Sequence, residues 1–204
     1  MPSLRERNFA TLQCKIEYMQ KSIVWEGLHY DTEEHCNVNF LETGIVVRSE
    51  IEGWAGVKAV YAEYTLTLNS DWTMREIDIH FTVGAEEHSY NFTRHASGHW
   101  TDATGILFRQ FGECLYVDIS LTPFTNSLIF KGVRFTEGQT EQISVLYFDI
   151  LANEVREDVQ RYTKLNALKY NFENDGGNFS ADIDVDQDGF VTYYPNLYTM
   201  LKPL

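Results

Sequence analysis

Basic residues are in short supply. Lysine and arginine number 16 against 30 aspartates and glutamates, a net charge of −14. Nucleic acids and anionic membrane surfaces select for clustered Lys and Arg, so this balance argues against both as partners. Cysteine is scarce too: Cys14, Cys36 and Cys114 are widely spaced, with no CxxC pair. Such spacing points to reduced thiols in a cytoplasmic protein rather than a disulfide scaffold. Long apolar runs are missing. No stretch approaches the ~18 to 20 residues of a membrane span, so no stable insertion into a bilayer is expected. The opening MPSLRERNFATLQCKIEY places charges where a secretory leader needs an apolar core. No leader is expected, and the sequons at Asn91 and Asn178 then carry little meaning. Internal repeats, low-complexity tracts and long linkers are absent from the sequence as well.

Aromatic residues are abundant. They make up 14% of the 204 residues, with 13 Phe, 12 Tyr and 4 Trp. Aromatics favour strands and line apolar clefts, so β structure and an aromatic-walled pocket gain weight together. The length suits one domain. We expect an N-terminal helical extension over 1–21 and a single β domain over 22–204. Ser3 with Glu6 forms a capping box, and Phe9, Leu12, Ile16 and Met19 mark a helical stripe over 3–20.

From Ser22 to Arg94 the spacing predicts strand after strand. Val60, Ala62, Tyr64, Leu66 and Leu68 alternate with Glu63, Thr65 and Thr67. Ile77, Ile79, Phe81 and Val83 alternate with Asp78, His80 and Thr82. Short turns join these runs, as in an antiparallel meander that curls into a barrel or trough. Residues 95–114 are less regular, and His95 to Trp100 reads as a loop ending in a short strand. Ser144 to Ile150 is apolar on nearly both faces, so that strand should lie between covered surfaces. Val155–Leu165, Leu168–Glu173 and Ala181–Val185 are further strands, and Pro195 to Leu201 reads as a closing helical turn. The fold class is all-β: a curled antiparallel sheet with an N-terminal helix and short helical turns.

The segment LYVDISLTPFTNSLIFKGVRF, Leu115 to Phe135, organises the rest. It begins as a strand, with Leu115, Val117, Ile119 and Leu121 at alternate positions. Thr122-Pro123 stops it, since proline cannot donate to a ladder and suits a first helical turn. Thr122 is a candidate N-cap, and Phe124, Leu128 and Ile129 fit one short helical turn or a tight loop. Asp118, Thr122, Thr125 and Asn126 thus gather where a strand becomes a turn. They either satisfy loose backbone groups at a corner or face a ligand.

Other constellations are weaker. His95 and His99 have a helical metal spacing, but Ser97-Gly98 breaks the helix and no third ligand follows. Asp184-x-Asp186-x-Asp188-Gly189 opens like a calcium loop, yet its twelfth position is Pro195. No cofactor or metal is expected. Asp118, His35 and Ser120 are residue types of a hydrolase, without a GxSxG elbow or HExxH motif. Glu113 and Asp118, five apart on one strand, would face opposite ways and so make a poor glycosidase pair.

The run Val117 to Ser120 followed by Thr122 to Asn126, VDIS-x-TPFTN, resembles the signature of the putative glycolipid-binding proteins. Trp25, Glu34-His35, Trp72 with Arg75, Gly98-x-Trp100, Gln160-x-Tyr162, Asp186-x-x-Gly189-x-Val191 and Tyr194-Pro195 fall in that family's order, over roughly 22–200. The family continues TPFTN into an LPIRR-like run. Here Leu128 to Gly132 leaves only Lys131 of the basic pair, so an anion-binding role for that pair is not carried over. The resemblance implies a β half-barrel similar to lipoprotein carriers and a glycolipid ligand.

The expected function is therefore non-enzymatic binding of a lipophilic molecule on the concave face of a curled sheet. Trp25, Trp72 and Trp100 would stack on sugar rings or flank an acyl chain. Asp118, Asn126 and Arg75 would orient a polar head group, with Thr122, Phe124, Thr125, His35 and Tyr162 completing the site. Two alternatives stay open: a hydrolase of lipid- or sugar-linked substrates, and an interaction module whose interior is filled by its own side chains.

Overall fold

The computed structural model describes residues 19–174 and 177–201. The helix expected over 3–20 lies outside these residues, except that Met19 and Gln20 open a strand. The chain forms β1 (Met19–Gly27), β2 (Asp31–Leu41), β3 (Gly44–Ala55), β4 (Lys58–Leu68), β5 (Met74–Val83), β6 (Glu86–Arg94), β7 (Trp100–Asp102) and β8 (Leu107–Phe108). A short 3-10 turn leads to β9 (Tyr116–Ile119) and α1 (Phe124–Gly132). Then come β10 (Thr140–Asp149), β11 (Glu154–Asn166), β12 (Lys169–Glu173), β13 (Ser180–Val185), β14 (Val191–Tyr194) and β15 (Tyr198–Leu201).

The fifteen strands among the described residues join one unclosed sheet, in the order β8 to β1, then β15 down to β9. It is two meanders joined where β1 pairs with β15, Trp25 opposite Met200. Chemistry at the turns explains the hairpins. Gly56 and Gly84 sit at φ +64° and +66°, the left-handed conformation that short hairpin turns demand. One pair departs from the pattern: β9 runs parallel to β10, and α1 makes the crossover between them.

The sheet rolls on itself. Met74 N–H donates to the Leu115 carbonyl at 2.9 Å, and Arg94 Nε and Trp100 Nε1 both reach the Cys114 carbonyl at 3.1 Å. Phe148 on β10 meets Tyr90 and Phe92 of β6, with ring centroids 6.2 and 5.9 Å apart. One face of β9–β10 is thereby covered by β5–β7, as the apolar character of β10 on both faces requires. On the other face lies α1. Every residue from Phe124 to Phe130 is buried. Phe130 stacks on Tyr170 at 4.2 Å and meets Tyr162 edge-on, while Phe124 reaches Trp25 at 6.4 Å.

Two expectations need correction. Pro195 to Leu201 is not a helical turn: Tyr198–Leu201 is β15, whose pairing with β1 joins the two meanders. The corner after Pro123 is longer than one turn, because nine residues of helix fit inside the roll. That helix and the surrounding aromatics fill most of the hollow that the alternation pattern suggests.

Candidate ligand-binding cleft

A cleft of about 390 Å³ remains open beside the first turn of α1. Its floor is the concave face of β9–β12. Residues in register on neighbouring strands share a face of the sheet, whether the strands run parallel or antiparallel. Tyr147 pairs with both Asp118 and Arg156, and alternation along β11 adds Asp158, Gln160 and Tyr162. The roof comes from the β1–β2 turn, with His29 and Tyr30, and from Tyr194, Leu197 and Tyr198. Leu151, Phe172 and Phe179 add apolar wall. The volume lies within the ~300 to 1,000 Å³ of ordinary small-molecule sites, and the mixed lining matches their usual make-up.

A hydrogen-bonded chain runs along the floor. Thr125 Oγ1 donates to Asp118 Oδ1 at 2.7 Å, and Gln160 Nε2 donates to Asp118 Oδ2 at 2.7 Å. Tyr162 donates to Gln160 Oε1 at 2.8 Å and accepts from Asn126 Nδ2 at 3.1 Å. Asp118 is reachable from the cleft yet crowded by protein. Burial raises its carboxyl to about 6, against the lowering effect of Thr125 and Gln160, with nearby Asp158 adding to the rise. Arg156 stacks 4.5 Å from the Tyr147 ring and lies 3.5 and 3.7 Å from Glu154 and Asp158.

A second buried carboxylate grips the same corner from behind. Glu34 on β2 accepts from Thr122 Oγ1 at 2.6 Å, Tyr64 Oη at 2.6 Å and Ser49 Oγ at 2.7 Å. Burial outweighs these three donors and lifts its carboxyl to about 7. Thr122 also accepts the Phe124 N–H at 2.9 Å. Between the two acids Leu121 is held at φ +70°, a conformation that costs a non-glycine residue on the order of 1–3 kcal/mol. The TPFTN corner is therefore pinned on both sides: Thr122 to Glu34, Thr125 to Asp118.

The predicted site residues divide into three groups. Asp118, Thr122 and Asn126 line the cleft. Thr125 and Tyr162 lie just beneath it in the hydrogen-bonded chain, and Phe124 is buried in α1. Trp25, Trp72, Trp100, His35 and Arg75 do not line it. Trp25 and Trp100 are 1% and 0% exposed, and their indole N–H groups donate to Val191 and Cys114 carbonyls. Trp72, at φ +70°, packs against Phe40 and Phe190 under Lys131. His35 turns to the outer face and meets Glu33 at 2.6 Å, while Arg75 reaches the Thr43 carbonyl. The hydrolase constellation is thus not assembled: Ser120 lines the cleft and accepts the Ile150 N–H at 2.9 Å, but His35 is elsewhere.

Sequence reasoning missed Tyr30, Tyr147, Arg156, Asp158, Phe172 and Tyr198. Gln160 and Tyr194 were visible only as marks of family resemblance. The acidic run has its own uses. Lys21 Nζ lies 2.8 Å from Asp186 and 2.7 Å from Asp188, Lys169 pairs with Asp184 at 2.8 Å, and Asp186 Oδ1 accepts two backbone N–H groups of the hairpin. His95 and His99 bond to Thr101 and Ser97. Among the described residues no group of three or more His, Cys, Asp or Glu is placed to hold a metal ion. No helix among them is long and apolar enough to cross a membrane.

The class defined here is an all-β half-barrel: a rolled, unclosed sheet with an enclosed helix and an aromatic, polar-floored cleft. The family model described as putative glycolipid-binding matches residues 22–200. A crystal structure of a DUF1089 family protein from Pseudomonas aeruginosa is similar, with 30% identity and a TM-score of 0.74 over 82% of this chain and 92% of that one. A comparison with curated proteins gave no match. The chain belongs to the putative glycolipid-binding family.

Proposed function

We propose that the protein binds a lipophilic molecule with a glycosyl head group in the cleft over β9–β12, as a cytoplasmic carrier rather than a catalyst. The observation behind this reading is the lining. Polar groups gather on the floor at Asp118, Asn126, Arg156, Asp158 and Gln160, and Tyr30, Leu151, Phe172, Phe179, Tyr194 and Leu197 supply a more apolar wall. Such a lining suits a ligand with one polar and one apolar end. Each methylene taken from water onto the apolar wall contributes about 0.8 kcal/mol before the costs of association. The family's description fits this ligand class. The buried, unpaired thiols of Cys36 and Cys114 are in keeping with a reducing compartment.

Gentle purification followed by native mass spectrometry tests the reading. A retained mass that organic extraction removes, and that Tyr198→Ala diminishes, is the expected result. Protein free of lipid, whose intrinsic fluorescence is unmoved by added glycolipids, would contradict it.

A further inference from the structure

We infer that the cleft selects an uncharged sugar head group and rejects acidic ones, with Tyr194 and the Asp118–Asp158 pair as its specificity-determining residues. This deepens the lipophile-binding reading and rests on it. The first observation is charge. Three carboxylates, Asp118, Asp149 and Asp158, line the cleft against one guanidinium, Arg156. That guanidinium is already shared between Glu154 and Asp158 and stacked on Tyr147. A phosphate, sulfate or carboxylate head group entering here would shed water beside three like charges and find the one guanidinium already engaged by carboxylates. Like-charge juxtaposition in a desolvated site costs several kcal/mol.

The second observation is independent of charge. Tyr194 is only 5% exposed and lines the cleft, yet its hydroxyl has no hydrogen-bond partner among the described residues. No fully enclosed polar side-chain atom lacks a partner among them, so the Tyr194 hydroxyl keeps some access, and the cleft is the space its residue lines. A phenol otherwise enclosed by Phe172, Phe179 and Tyr198 pays for desolvation only if something polar meets it there. The phenols of Tyr147 and Tyr198 line the same space and likewise find no partner among the described residues. All three have their ionisation pushed up by burial and by the neighbouring Asp118, so they stay neutral donors. Neutral donors around an anionic acceptor form a hydroxyl-recognition set: a sugar can donate to Asp118 and both donate to and accept from the phenols.

Four short-chain probes below their critical micelle concentrations separate the possibilities at pH 8: octyl glucoside, octyl glucuronide, octylamine and octanol. Glucoside and glucuronide share a ring and a chain and differ by one carboxylate. Calorimetric titration should show glucoside tighter than glucuronide by about tenfold or more. Tyr194→Phe removes no internal hydrogen bond, so the fold should hold. It should weaken glucoside roughly 2- to 12-fold and leave octanol unchanged. Asp158→Asn should raise glucuronide binding and narrow the gap. Equal or tighter binding of glucuronide would overturn the inference while leaving a lipophile site in place. Octylamine binding tighter than glucoside would overturn it in favour of a cation site. If Tyr194→Phe leaves glucoside binding unchanged, the assignment of Tyr194 fails. Octanol binding as well as glucoside would remove any head-group recognition, and silence from all four probes would sink the lipophile reading itself.

Discussion

Glu34 should make the protein less stable as pH rises from acid to neutral. In the folded chain its carboxyl releases its proton near pH 7, because burial outweighs the hydroxyls of Thr122, Tyr64 and Ser49. In the unfolded chain an ordinary glutamate does so near 4.5. Between those values the folded state binds more protons, so stability falls with increasing pH and levels off above 7. The difference between 4.5 and about 7 corresponds to roughly 3 kcal/mol. Asp118, raised from 3.8 to about 6 by burial, acts in the same direction at lower pH. Asp71 and Asp188 are lowered, so their opposite effect lies below 3.8 and outside this window. Glu34→Gln keeps the side chain's size: its amide oxygen can still accept from hydroxyls on one side, and a hydroxyl facing its amide nitrogen can turn to accept. The variant should match wild type near pH 4.5 and exceed it by up to about 3 kcal/mol at pH 8. Urea denaturation at pH 5, 6, 7 and 8 measures both slopes, and the wild-type-minus-variant difference isolates Glu34 from Asp118. Parallel slopes for the two proteins, or a wild-type stability that climbs over this range, would refute the reasoning.

Trp100→Ala should cost about 3–5 kcal/mol in thermal or chemical denaturation while leaving bound lipid per folded molecule unchanged, since the indole is core and not cleft. Gly132→Ala should destabilise by roughly 1–3 kcal/mol, because a Cβ there would lie 2.6 Å from the Tyr116 hydroxyl and 2.7 Å from its ring. A thermal shift assay reads that loss, and Gly132→Ala with Tyr116→Leu should recover most of it.

The hairpins were legible because one face of each is apolar and the other wet: β4 follows period two from Val60 to Leu68, and β5 from Ile77 to Val83. Of α1 only a short turn was legible, since all seven residues from Phe124 to Phe130 are buried and an enclosed helix shows no polar stripe to mark its length. Strand β15 was mistaken for a helical turn because Leu197 and Leu201, four apart, satisfy either period. The cleft was half legible. Asp118, Thr122 and Asn126 stood out as a polar corner, and the structure places them there. Arg156, Asp158 and Gln160 did not, because a strand with polar residues at alternate positions reads as solvent-facing. Here that polar face is concave, and Val155 and Val159 take the other. The tryptophans misled for the converse reason: a large aromatic serves a core as readily as a ligand wall, and their N–H groups found backbone carbonyls.

Photolabelling with an alkyl glucoside bearing a diazirine beside the head group, followed by peptide mapping, tests the location of the site most directly. Labels should fall within 118–126, 147–160 and 194–198, and unlabelled octyl glucoside should compete them away. Labels confined to the outer face around His35, Asn37 and Glu63, or labels that competitor does not reduce, would contradict the assignment of the cleft.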